Sequence, residues 1–141
     1  MDRNVEERRE DKQTFSKRLG GKMEHLEEGK AVFSLKKEEW LTQYLGYFHG
    51  GILMALADTV GGSAVVTLLP EDHHAVTSEF SMHFLSPAVA DEIIATAEVI
   101  KPGKKLMIVE ISITDKETGK LLAKATGTWI PVKIKDAMFK G

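Results

Sequence analysis

The stretch from Gly50 to Leu69 constrains this chain more than any other. It holds no Pro and a single ionisable residue, Asp58. At a rise of about 1.5 Å per residue it predicts a helix of about 30 Å, stopped by Pro70. A helix apolar on every side must be buried in protein or in a membrane. Asp58 at mid-depth and Gly61-Gly62 in the interior argue against a membrane span, because a mid-bilayer carboxylate is costly. We therefore expect a core wrapped around this helix. An acid inside that core must be partnered or put to use.

The rest of the chain is long enough to supply such a core. Its 141 residues fit one domain. The net charge of −2 gives no sequence-wide basic signal, so nucleic acid is not expected as a partner. The chain has no Cys, which removes disulfides, Cys-ligated zinc and Cys nucleophiles. That absence is compatible with a reducing cytoplasm, the expected location. The opening MDRNVEERREDKQ has no apolar h-region and does not read as a secretory signal. Residues 1–22 read as a charged arm with few apolar anchors (Val5, Phe15, Leu19), punctuated by Gly20-Gly21. Residues 23–141 read as a single domain.

Along that domain, Lys30 to Lys37 is rich in β-branched and aromatic residues and reads as a first strand. Glu38 to Leu45 fits a short helix with Trp40, Leu41, Tyr44 and Leu45 on one side, ended by Gly46. After the long helix, His74 to Leu85 alternates. Val76, Ser78, Phe80, Met82 and Phe84 share one face, and Thr77, Glu79, Ser81 and His83 the other. Glu92 to Ile100, Lys105 to Thr114 and Lys120 to Pro131 read as further strands. Met107, Val109, Ile111 and Ile113 lie on one face of the second of these. They are separated by the turn KPGK and the hairpin loop DKETG. Lys133 to Gly141 is a basic tail. Strands joined by tight turns predict an antiparallel meander after the helix. A flat sheet cannot cover a helix on all sides, so the sheet must curl and a second copy must cover the rest. Gly61, Gly62, Ser63 and Ala64 mark a place where bulk is excluded.

The stretch HGGILMALADTVGG, the segment TSEFSMHFLSPA and the hairpin DKETGKLLAKATGTW resemble the PaaI-like hotdog-fold acyl-CoA thioesterases. The resemblance spans roughly residues 30–131. It implies an α+β fold in which a curved antiparallel sheet wraps one long helix. It also implies hydrolysis of acyl-CoA thioesters, with coenzyme A as part of the substrate and no cofactor or metal. Similar proteins are dimers or tetramers, so at least a homodimer and a homotetramer are expected.

Thioester hydrolysis needs an activated water or an attacking carboxylate, and donors for the developing oxyanion. Asp58 is the candidate base or nucleophile. Gly50 and Gly51 open the helix, where free N–H groups and the positive end of the dipole can receive a carbonyl oxygen. The resemblance favours the Gly50 N–H as the oxyanion donor. Gln43 stands where similar thioesterases carry Asn or Gln, and Thr77 matches the position of a hydroxyl that holds the catalytic water. The resemblance gives His49 a structural role beside the helix start. Gly62, one turn after Asp58, leaves a bare face for an acyl group. Lys101, Lys104 and Lys105 either meet the CoA phosphates or form a solvated basic turn. His73, His74 and His83 have no metal-ligand pattern with neighbouring acids.

Spacing then decides one point. Asp58 lies eight residues beyond Gly50, a rise of about 12 Å. Both groups must come within about 3 Å of one thioester. One straight helix cannot supply both, so the expected site takes Asp58 from one subunit and Gly50 from the other. Two rivals stand beside this reading. An acyl dehydratase or hydratase on the same fold would need a His paired with an acid, and a non-catalytic acyl-CoA binding module would need no base at all.

Overall fold

The computed structural model describes residues 13–137. Most of the charged arm, including Val5, and the end of the basic tail lie outside the described residues. A short helix α1 (Phe15–Leu19) leads into β1 (Lys22–Glu27) and β2 (Lys30–Lys36), then a single 3₁₀ turn (Glu39–Leu41). The long helix α2 (Gly50–Val66) follows, then β3 (His73–Phe84), β4 (Glu92–Lys101), β5 (Met107–Asp115), β6 (Leu121–Lys133) and a terminal turn of helix α3 (Ile134–Ala137). The strands make one six-stranded antiparallel sheet in the order β1-β2-β4-β5-β6-β3. α2 packs against β2, β3, β4, β5 and β6, so the sheet wraps the helix in the hotdog arrangement.

Only β4, β5 and β6 form the meander that the sequence predicts. β3 instead lies at the far edge and pairs with β6. The chain leaves α2 beside the end of β6, where the Ile134 N–H donates to the Asp72 carbonyl at 2.8 Å. Alternation fixes which face a residue takes, not which strand lies next to it. β1 is an addition to the predicted elements. Its sequence KMEHLE is exposed throughout and carries a bulge between Met23 and His25, so it has no apolar face to read. The predicted helix over 38–45 reduces to the 3₁₀ turn. Of its apolar side only Leu41 is buried, while Trp40, Tyr44 and Leu45 are exposed. A segment so short does not repay helix nucleation, and the Gly46 N–H closes a turn on the Gln43 carbonyl at 2.9 Å instead.

α2 stops at Val66, three residues before the predicted end. The Thr67 hydroxyl donates to the Ala64 carbonyl at 2.6 Å and accepts the Gly29 N–H at 2.8 Å, which ties the helix end to the β1–β2 turn. Leu53, Leu56, Ala57, Val60, Gly61, Ala64 and Val65 are buried, the spacing of one helix face. Full burial of a Leu or Val contributes about 1.5–3 kcal/mol. The opposite face is open in the single chain. Met54 is 40% exposed there, and Asp58 is exposed too. The expectation of a helix covered on every side, with a buried acid, therefore fails for the single chain. The inner face of the sheet is built of Ala95, Ala97, Ala123 and Ala125, which let the helix approach closely, and of the large Trp129. A Cβ added at Gly61 would lie 2.4 Å from the Trp129 ring, so Gly61 is the point of closest approach. Among the described residues no helix is long and apolar enough to cross a membrane.

Candidate active site

Apart from the lysines of the β4–β5 turn, the sequence-predicted residues fall into two groups. The first gathers at the start of α2. His49 is the N-cap, and its Nδ1 accepts the Gly51 N–H at 2.9 Å. The Ile52 N–H goes to the His49 carbonyl at 2.9 Å. The Gly50 N–H has no partner among the described residues. The two glycines are thereby distinguished: Gly51 supports the cap and Gly50 keeps a free donor at the positive end of the helix dipole. Gly50 borders an open groove of about 380 Å³, lined by Gln43, Tyr47, Gly50, Leu53, Phe84 and Pro87 among others. Only the Phe84 ring, at 3.4 Å, would meet a Cβ on Gly50. Gln43 is held in a tight loop, with its N–H donated to the Tyr47 carbonyl at 2.9 Å and its side-chain oxygen accepting the Leu45 N–H. Gly46 closes that loop with a φ of 88°, a conformation that favours glycine.

The second group lies on the open face of α2. The Thr77 hydroxyl donates to Asp58 Oδ1 at 2.6 Å. This bond depends on an irregularity that alternation does not predict. Thr77 pairs with Trp129 and Phe80 with Gly127, with a bulge between Thr77 and Glu79. The extra residue puts Thr77 on the helix side together with Phe80 and Met82, whereas strict alternation sets them on opposite faces. Gly62 sits one turn beyond Asp58 and is half-buried, and the only group within 4 Å of an added Cβ is Trp129 Nε1, at 3.5 Å. Neither Phe84, which the sequence reads only as part of a strand face, nor Trp129 is among the candidate site residues of the sequence. The pairing of a bulky Trp with Gly127 two residues earlier on the same strand face is the signal that could have found Trp129.

The structure does not bring these two groups together within one chain. Lys101, Lys104 and Lys105 are exposed at the β4–β5 turn, at the end of the sheet that carries the C-terminus of α2. There the Val99 N–H donates to the Gly29 carbonyl, beside the cap at Thr67. That is the opposite end of the helix from Gly50. Among the described residues no group of three or more His, Asp or Glu side chains is placed to hold a metal ion.

What this geometry can do chemically is provide a carboxylate with a hydroxyl beside it and, separately, an N–H donor over a groove. The chain is similar to known thioesterases. The Thioesterase superfamily matches residues 45–122. Acyl-coenzyme A thioesterase 13 of Mus musculus is 33% identical over 100 residues, covering 70% of this chain and 71% of that protein. The 1,4-dihydroxy-2-naphthoyl-CoA hydrolase of Listeria monocytogenes is 36% identical over 117 residues, covering 83% of this chain and 94% of that one. The E. coli PaaI protein of the phenylacetic acid degradation operon superposes with a TM-score of 0.76 at 29% identity, covering 83% of each chain. The chain belongs to the thioesterase superfamily, among its PaaI-like hotdog members.

Proposed function

We propose that this protein hydrolyses acyl-CoA thioesters, with Asp58 as general base and the Gly50 N–H of a second subunit as oxyanion donor. The observation that carries the reading is the Thr77–Asp58 hydrogen bond on a helix with no other ionisable residue. Thr77 donates to Oδ1, which leaves Oδ2 free to take a proton and the Thr77 oxygen free to accept one from a bound water. That water attacks the thioester carbon as its proton passes to Asp58 Oδ2. The tetrahedral oxyanion rests on the Gly50 N–H. The C–S bond then breaks, and the proton on Asp58 goes to the departing thiolate. Gln43 orients the thioester from the groove wall. His49 is held in the helix cap and Asp58 bonds to Thr77, so these two residues do not make the His–acid pair of a dehydratase within the chain.

The sharing of the site between subunits rests on two features. Asp58 and Gly50 lie about 12 Å apart along one helix. β3 is a twelve-residue edge strand with exposed apolar residues, Val76 and Phe84, whereas the other edge strand, β1, is half as long at six residues. A long apolar edge is a template for pairing, and a second copy added there brings the open faces of the two helices together. A homodimer so formed has two sites, and the acyl-CoA is its substrate; pairing of dimers would give the homotetramer.

Thiol release from a panel of acyl-CoAs tests the activity directly. The chain has no Cys, so a thiol-reactive dye reports only freed CoA. Asp58→Ala should lower kcat by about 10²–10⁴-fold with the oligomer intact, the range for loss of a general base. Absence of turnover on every thioester by the wild type would leave a binding module as the better reading. Turnover that survives Asp58→Ala would remove Asp58 from its role.

A further inference from the structure

Trp129 is 2% exposed, and its indole N–H has no acceptor among the described residues. Its ring is clamped. Cη2 would meet an added Cβ at Gly61 at 2.4 Å, Cζ3 one at Gly127 at 2.4 Å, and Phe80 packs edge-on at 6.2 Å between centroids. Among the described residues no fully buried side-chain nitrogen or oxygen lacks a partner, so this unpaired N–H reaches the protein surface. Gly62 lies beside it: outside the helix's own backbone, Nε1 at 3.5 Å is the one atom within 4 Å of an added Cβ there. Trp40, the other tryptophan, gives its N–H to Glu38 at 2.7 Å. A nearly buried indole normally finds an acceptor, and here the protein supplies none.

The position of this donor connects it to the chemistry. Trp129 is the cross-strand partner of Thr77, which holds Asp58, and Gly62 lies one helical turn from Asp58 on the same face. One turn is about 6 Å. We infer that Trp129 is a specificity-determining residue whose indole N–H selects acyl groups carrying a hydrogen-bond acceptor about one helical turn, some 6 Å, beyond the thioester carbon. The bare Gly62 keeps the way to that donor open. Rigid clamping of the ring fixes the direction of the N–H, so an acceptor is gained at little entropic cost, while a plain hydrocarbon chain leaves the donor unpaired and desolvated. This inference rests on the thioesterase reading and names the substrate class for the same site.

Hexanoyl-CoA and 5-oxohexanoyl-CoA form a matched pair, the second bearing a ketone that only accepts. The wild-type ratio of kcat/KM, oxo over plain, should fall about tenfold in Trp129→Phe, which removes the donor and keeps a ring there. It should fall similarly in Gly62→Ala, whose new methyl lies over Nε1 at ordinary contact distance. Crowding by that methyl acts on both substrates and leaves their ratio alone. A binding readout is independent of turnover. In Asp58→Asn protein, the Trp129 indole proton should move downfield with 5-oxohexanoyl-CoA and not with hexanoyl-CoA, while that of Trp40 stays in place. Turnover of both substrates with an unchanged ratio in both variants, or an indole proton that moves equally with both ligands, would overturn the selection while leaving the thioesterase reading in force. Failure of the wild type to hydrolyse either thioester would overturn both.

Discussion

Adjacent glycines on α2 should respond to the same substitution with opposite signs. At Gly61 an added Cβ would sit 2.4, 2.7 and 3.2 Å from three carbons of Trp129. That ring cannot retreat, because Gly127 already approaches it from the other side. Overpacking of this kind costs about 1–3 kcal/mol, against about 1 kcal/mol gained from replacing a helical Gly by Ala. With the ring held on two sides the cost falls at the upper end, for a net loss of about 2 kcal/mol. At Gly62 the same Cβ meets only Trp129 Nε1 at 3.5 Å, ordinary contact. There the helix-propensity gain of up to about 1 kcal/mol stands alone. For a chain of this size 1 kcal/mol corresponds to about 3 °C in Tm. Calorimetry should therefore find Gly61→Ala lower by about 6 °C and Gly62→Ala higher by up to about 3 °C. Near-UV circular dichroism should change in the first variant, where the indole is displaced. Equal shifts of the same sign in the two variants would refute the packing argument.

The route taken by Asp58 can be read by isotope. In H₂¹⁸O under single turnover, a general base puts the label in the product acid and none in the Asp58 peptide, whereas label in the peptide after repeated turnover would mark a covalent acyl-enzyme. Away from the site, the Ser34 hydroxyl, donated at 2.6 Å, is the main cause holding the Glu24 carboxyl below its ordinary value, with Lys22 and Lys116 adding to it. A depressed carboxylate contributes stability above its unfolded pKa and loses it as pH falls through the folded one. Ser34→Ala should raise the Glu24 midpoint toward the ordinary carboxylate range in an NMR titration, and an unmoved midpoint would contradict the assignment.

The sequence is most legible where one physical requirement acts alone. The apolar run before Pro70 gives α2, and the alternating Met107, Val109, Ile111 and Ile113 of β5 are all buried as expected. It is least legible where long-range geometry decides. β1 has no buried face, so periodicity has nothing to register. The place of β3 beside β6 depends on where α2 delivers the chain. The bulge after Thr77 reverses the faces inferred from alternation, and with them the neighbours of Thr77. At the candidate site, the sequence places Asp58 and Thr77 as candidates, and the structure brings these two together; the spacing along the helix separates Gly50 from Asp58. The division of labour between Gly50 and Gly51 was not readable, because it depends on which N–H the His49 ring accepts. Trp129 escaped for a similar reason: a buried Trp on a strand reads as core, and only the missing acceptor sets it apart.

Subunit complementation tests the central claim, one site assembled from two chains. Asp58→Ala removes the base. Gly50→Pro removes the proposed oxyanion donor at the first helical position, which tolerates Pro, and His49 before it already has the extended ψ of 137° that Pro requires. Each variant alone should be inactive. Refolded together in equal amounts, half of the dimers are mixed and each carries one intact site of two. The account predicts recovery of about a quarter of wild-type turnover. A mixture as inactive as its parents, with mixed dimers demonstrated by mass spectrometry, would contradict it.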